Sequence, residues 1–170
     1  MDTQTLARWS KILLLAAIAL FFTVVVFNNV TDFNSNYQFV RHTLSMDTTF
    51  PGNHGMGRAI TSPTLYLVFY LGIISWETLC GVLSWWGAIA LFRALRASDA
   101  GFQQAKRVGI AAITAGLLMW LVAFECIGGE WFLMWQSRQW NGQEAGFRMF
   151  MMEAVVLLLL QMQEPGTVRG

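Results

Sequence analysis

The chain has 170 residues, 55% of them hydrophobic and only 12% charged, with a formal net charge of +1. Soluble domains carry about 25% charged residues, so half of the usual solvating charge is missing. That excludes a disordered chain and a nucleic-acid-binding domain, takes an ordinary soluble enzyme out of first place, and leaves an integral membrane protein.

Residues 12–27 carry no charge over 16 positions. Arg8 and Lys11 precede them in the manner of a signal peptide, but the run is long for one and ends in VVVFNNV without an A-x-A-like site. An uncleaved first span over about 12–28 is expected. Residues 63–92 hold a single charge, Glu77, and form the second span. The third, about 107–127, contains the charge-free run 108–124. The fourth, 147–163, is the shortest and includes Arg148 and Glu153. A hydrocarbon core of about 30 Å needs roughly 20 helical residues, and each run reaches that length with its flanks. Buried helices of a soluble bundle would show polar stripes at helical spacing, and the first and third runs have none. The expected architecture is an all-α membrane protein of one domain, 1–170, built as a four-transmembrane-helix bundle.

Four spans put both termini on one side. That side holds Arg8, Lys11, Arg93, Arg96, Lys106, Arg107 and Arg169; the other holds Arg41, Arg58, Arg138 and Arg148. Four of the seven cluster in the short 93–107 connection, so both termini are expected in the cytoplasm. The far side carries a long first loop, 28–62, expected to be structured. Its NNVTDFNSNYQF suggests turns, Leu44-Ser45-Met46 a short helix, and Pro51-Gly52-Asn53 a turn. Between spans three and four, Trp131 and Trp135 are four apart and are expected on one face of a short interfacial helix bounded by Gly128, Gly129 and Gly142.

A set of residues in these two segments carries a family resemblance. Asn29, Thr31-Asp32, Asn36, Phe39-Val40, His42, the run Leu44-Ser45-Met46-Asp47-Thr48-Thr49-Phe50-Pro51 and Arg58-Ala59-Ile60 resemble the outer loop of a bacterial family of predicted small integral membrane proteins, domain of unknown function 2165. Glu77, Gly128-Gly129-Glu130-Trp131, Trp135-Gln136-Ser137 and Trp140-Asn141-Gly142 fit the same pattern. The resemblance covers nearly the whole chain. It implies four spans and no assigned activity, and it supplies no catalytic residues.

Glu77 lies 14 residues after Pro63 and 16 before Arg93. At 1.5 Å per residue it is about 21 Å from one helix end and about 24 Å from the other, near mid-membrane. An acid there must be protonated or partnered. It is read either as an ion or proton site or as a structural carboxyl bonded to Ser75, Thr78, Ser84 or backbone. Glu125 and Glu153 fall in the middle or far half of their spans. If the three face one another they form an acidic cleft, capped by His42, Asp47 and His54 from the first loop. Those oxygens and imidazoles suit a divalent cation in type, but no metal-binding spacing is present, so no metal and no cofactor are assigned. His42, Ser45 and Asp47 are triad ingredients without triad spacing. Arg58 is expected to pair with Glu130, and Arg148 with Glu144 or Glu153. Cys80 and Cys126 differ too much in depth for a bridge and are expected as two buried thiols. Ala105, Gly109, Ala112 and Gly116, with Gly81 and Gly87, form small-residue faces for packing within the bundle or between chains.

Three functions follow in order. The first is a structural or accessory subunit that binds another membrane protein or its own copy in the bilayer. The second is a small transporter or a cation or proton pathway using Glu77 with Glu125 or Glu153. The third is an envelope-facing enzyme using the loop histidines and acids. The absence of catalytic spacing argues against the third, and no basic patch offers a nucleic acid a surface.

Overall fold

A computed structural model describes residues 2–164, and among them there are helices and connecting turns but no strand. Helix α1 spans Thr3–Thr31, α2 Phe33–Ser45, α3 Pro63–Arg93, α4 Asp99–Leu118 and α5 Gln143–Gln161. The α4 helix runs on without a break as a π-helix over Met119–Trp131. Three helices, Thr3–Thr31, Pro63–Arg93 and Asp99–Trp131, are long and apolar enough to cross a membrane. At 1.5 Å per residue the 29 residues of α1 extend about 44 Å, well beyond a 30 Å core. The 19 residues of α5 extend about 28 Å, but Glu144, Arg148 and Glu153 interrupt its apolar character.

The long helices pack in sequence: α1 on α3, α3 on α4, α4 and its π extension on α5, and α5 back on α1. The α1–α3 pair is antiparallel with a steady register. Arg8 reaches the carbonyl of Leu95, Leu15 lies against Gly87, Phe22 against Gly81, and Asn29 meets Tyr70 and Glu77. Small residues set the spacing. A Cβ added to Gly87 would stand 2.7 Å from the Gly109 backbone, and one on Gly109 would stand 2.5 Å from Leu15 Cδ2. The small-residue faces at these positions are therefore used inside the chain, where they bring α1, α3 and α4 together.

Polarity is inverted relative to a soluble protein. Arg8, Lys11, Asn29, Glu77, Ser84, Lys106 and Glu153 are buried, while Leu13, Phe27, Val68, Trp86 and Leu158 are exposed. Water would drive the opposite partition. Hydrocarbon favours this one, because it cannot solvate charge but accepts apolar side chains freely.

The end of the molecule that holds the start of α1 is closed by ion pairs. Arg8 bonds Asp99 at 2.6 Å and lies over the Phe102 ring. Lys11 and Lys106 both reach Glu164, at 2.6 and 2.9 Å, and both donate to the Met162 carbonyl. Three of the seven basic residues assigned to this side are thus consumed internally. Arg93, Arg96 and Arg107 stay exposed, and Arg169 lies outside the described residues.

At the other end the first loop departs from expectation. The turns read into NNVTDFNSNYQF reduce to one break at Asp32: α1 continues to Thr31, and α2 then runs for 13 residues. Val40 and Leu44 on α2 bury against Tyr66 and Tyr70 of α3, and that packing overrides the turn preference of Asn and Asp. The turn comes at Met46, which takes φ 55° at the end of α2. The Trp-rich segment differs as well. Gly128 and Gly129 sit inside the π-helix, Leu133 takes φ 55°, and a separate 3₁₀ turn covers Met134–Gln136, so Trp131 and Trp135 do not share a helix face. Gly142 precedes α5. The two segments dock on each other. Thr48 donates to Ser137 at 2.9 Å, the Phe50 amide to Gln136 at 3.0 Å, and Arg58 to the Trp131 carbonyl at 3.1 Å.

Candidate functional site

Beneath this cap lies a cavity of about 440 Å³ walled by α1, α2, α3, the π-helix and α5. The buried face of α3 repeats at helical spacing through Tyr66, Tyr70, Glu77, Cys80, Ser84 and Leu91, and that periodicity turns the one acid of the helix inward. Glu77 is 4% exposed. Its Oε2 accepts from Asn29 Nδ2 at 2.6 Å. Asn29 Oδ1 in turn accepts from Asn36 of α2, and the Tyr70 hydroxyl donates to the Asn29 carbonyl at 3.1 Å. A line of amides from α2 through α1 thus ends on the carboxyl. The partners expected from α3 itself are not used. Ser75 and Thr78 donate back to Leu71 and Ile74, and the Ser84 hydroxyl is buried without a partner.

Glu153 is held separately. Trp120 Nε1 donates to its Oε1 at 2.7 Å, while Oε2 packs over Gly116 without a hydrogen-bond partner. Glu125 accepts from Gln143 at 3.2 Å, and its Oε1 is also unpartnered. The expected common cleft of three acids is not formed as such. Glu77 and Trp120 line the cavity, Glu153 joins it through Trp120, and Glu125 is not part of the lining. Glu125 lies off the face on which this helix presents Trp120, Phe124 and Gly128 to the cavity, and it bonds Gln143 of α5 instead. No Lys, Arg or His pairs with these three acids among the described residues.

The loop candidates form a different group. His42 Nδ1 is 2.9 Å from Asp47, and its ring stacks on Trp140 at 4.6 Å. Ser45 donates to the His42 carbonyl rather than to the ring, so the three do not act as a triad. His54 is exposed, and no group of three His, Cys, Asp or Glu able to hold a metal occurs among the described residues. Arg58 goes to Trp131, stacking on its ring at 4.9 Å, in place of Glu130, which is exposed. Arg148 is exposed and pairs with neither Glu144 nor Glu153, because Glu153 faces inward to Trp120. Both cysteines are free; Cys80 is buried as expected, but Cys126 is exposed.

Outside the spans two carboxyls are perturbed, Asp2, which its hydrogen bond from the Thr5 amide holds below the usual value, and Glu164. Burial pulls Glu164 upward, but hydrogen bonds from Lys11 and Lys106 and the charge of both ammonium groups prevail and hold it below its usual value.

Residues 7–163 match the model of a family described as predicted small integral membrane protein (DUF2165). The chain belongs to this family. No curated protein and no solved structure matches it. In this DUF2165 protein, several residues that carried the resemblance meet in space: Asn29, Asn36 and Glu77 form the amide–carboxyl line, and His42 stacks on Trp140. Sequence reasoning missed Thr43, Tyr70 and Trp120 on the cavity wall and took Asn29 and Asn36 for turn formers. The seven-residue spacing of the two asparagines was the available signal, since it repeats every two helical turns.

Proposed function

We propose that this is a four-span protein of the bacterial inner membrane, with both termini cytoplasmic, whose function lies in its membrane-buried carboxyls as a cation or proton site. The fourth crossing is supported by the course of α5. It starts beside Phe39 of the cap at Gly142 and ends where Met162 meets Lys11, so it returns along the length that α1 covers. The orientation rests on the exposed Arg93, Arg96 and Arg107 in one short connection. In a cysteine-free background, an impermeant maleimide applied to intact cells should label Arg138→Cys and spare Arg96→Cys; the reverse pattern overturns the orientation.

One observation carries the functional reading: Glu77 sits on a cavity wall, buried, and no Lys, Arg or His pairs with it among the described residues. Carboxyls inside a membrane are costly by about 2.5–3.5 kcal/mol on insertion scales and mark ion or proton paths. Glu77→Gln keeps an acceptor for Asn29 and removes only the titratable group. In liposomes, proton or monovalent-cation flux should fall to the protein-free level in this variant, and unchanged flux removes the assignment.

The accessory-subunit reading retains one feature, the exposed Phe50, Trp131 and Trp135 at the cap. Crosslinking in native membranes that yields a defined larger complex through this face would favour it. The small-residue faces no longer support it at Gly81, Gly87, Gly109 and Gly116, where the chain fills them itself.

A further inference from the structure

We propose that the cavity under the cap binds an organic cation, an amine or quaternary ammonium on an apolar body, with its positive group against Glu77. The inference rests on the carboxyl-site reading above and names the chemical class of its ligand. Its volume, about 440 Å³, falls in the range of about 300–1,000 Å³ typical of small-molecule sites. The walls are apolar and rich in rings: Phe21 from α1, Phe39 from α2, Phe69 from α3, and Trp120 and Phe124 from the π-helix. Aromatic walls with a single acid are the chemistry that recognises quaternary and alkyl ammonium groups, because ring faces and carboxylate both attract positive charge while the body of the ligand buries apolar surface.

Two polar groups on the lining lack a complement. Glu77 uses Oε2 for Asn29, and among the described residues nothing donates to Oε1. The Thr43 hydroxyl is buried and unpartnered. Thr23, Thr31, Thr78 and Thr114 all turn their hydroxyls back to the carbonyl four residues earlier, which makes Thr43 an exception. A neutral lipid tail would leave both groups unsatisfied and the acid without a countercharge. An ammonium with an N–H or a polarised methyl shell supplies what the site lacks, and an apolar body fits the rings.

The test uses the full-length protein in phosphatidylglycerol nanodiscs, whose lipid carries no ammonium group, with calorimetric titration of benzyltrimethylammonium and of its neutral isostere neopentylbenzene, each corrected against empty discs. The cation should bind at one saturable site and the isostere at least tenfold more weakly. Glu77→Gln should weaken the cation at least tenfold and leave the isostere unchanged. Ala123→Phe, which fills the lining while keeping Glu77, should block the cation. The wild-type comparison of cation with isostere needs no variant to fold, and melting curves qualify the two that are used. Equal binding of the isostere would make this a cavity for apolar tails and overturn the proposal, as would unchanged cation binding in a folded Glu77→Gln. Glu77-dependent flux without cation binding would refute the ligand class and leave the carboxyl-site reading standing. Glu77-dependent cation binding without flux would leave the ligand class standing and remove ion or proton passage from the carboxyl-site reading.

Discussion

Gly72 and Gly87 lie on the same helix, and alanine should act on them in opposite directions. Replacing a mid-helix glycine by alanine stabilises by about 1 kcal/mol through lower backbone entropy in the unfolded chain. At Gly72 a Cβ meets nothing within 4 Å, so that gain should be kept. At Gly87 the Cβ would stand 2.7 Å from both N and Cα of Gly109, against 3.4–4 Å for ordinary contact. The obstacle is backbone, so α3 and α4 would have to part by about 0.7 Å or more, and Leu15, wedged against both glycines, would lose contact as they did. Overpacking of this kind costs about 1–3 kcal/mol. The propensity gain is common to both variants and cancels in their difference. Gly87→Ala should therefore be less stable than Gly72→Ala by about 1–3 kcal/mol, a gap of about 2–12 °C in midpoint for a chain of this size. Circular dichroism melts in one detergent would measure it. A Gly87→Ala protein melting at or above Gly72→Ala would show that the α3–α4 contact at Gly109 is not made as described.

Other substitutions probe the ends of the molecule and the carboxyl network. Glu164→Gln takes from the buried Lys11 and Lys106 the carboxylate they share and should cost about 3–5 kcal/mol in the same melts. Because the folded carboxyl is held below its ordinary 4.5, its stabilisation is complete above that value and is lost as pH falls through the lowered one. The wild-type midpoint should drop on acidification in that window, and the Glu164→Gln midpoint should drop less. Asn29→Ala removes the donor to Glu77 Oε2 and should cost about 1–3 kcal/mol; no loss would mean that the amide line contributes nothing to the fold. Met46→Gly relieves a left-handed residue, worth about 1–2 kcal/mol, but deletes a side chain that is 1% exposed, worth about 2–5 kcal/mol. The variant should melt below wild type, and a rise would mean that strain outweighs packing at the end of α2.

The parts of the candidate site that could be read from the sequence were those set by a single residue against its surroundings. Glu77 stood out because it was the one charge in a largely apolar stretch of thirty residues. Its partner did not, because Asn29 is 48 residues away on another helix and its choice depends on the α1–α3 register. The same holds for Glu153, whose nearest charge in sequence, Arg148, is exposed while Trp120 reaches it across the α4–α5 contact. Thr43 and Trp120 gave no signal in composition or spacing, since a cavity is a property of what surrounds it.

Apolar run length alone determined that hydrocarbon surrounds long helices here, because exposing runs of largely apolar residues on all sides to water costs far more than placing them in lipid. The family resemblance was legible in the loop residues themselves. Tertiary structure alone decided that α1 runs on past its apolar stretch, that a second helix forms where turn residues abound, and that three of the basic residues at one end are neutralised within the protein. Each of these depends on which helix lies alongside, and local propensities of about 1 kcal/mol per residue yield to burial terms several times larger.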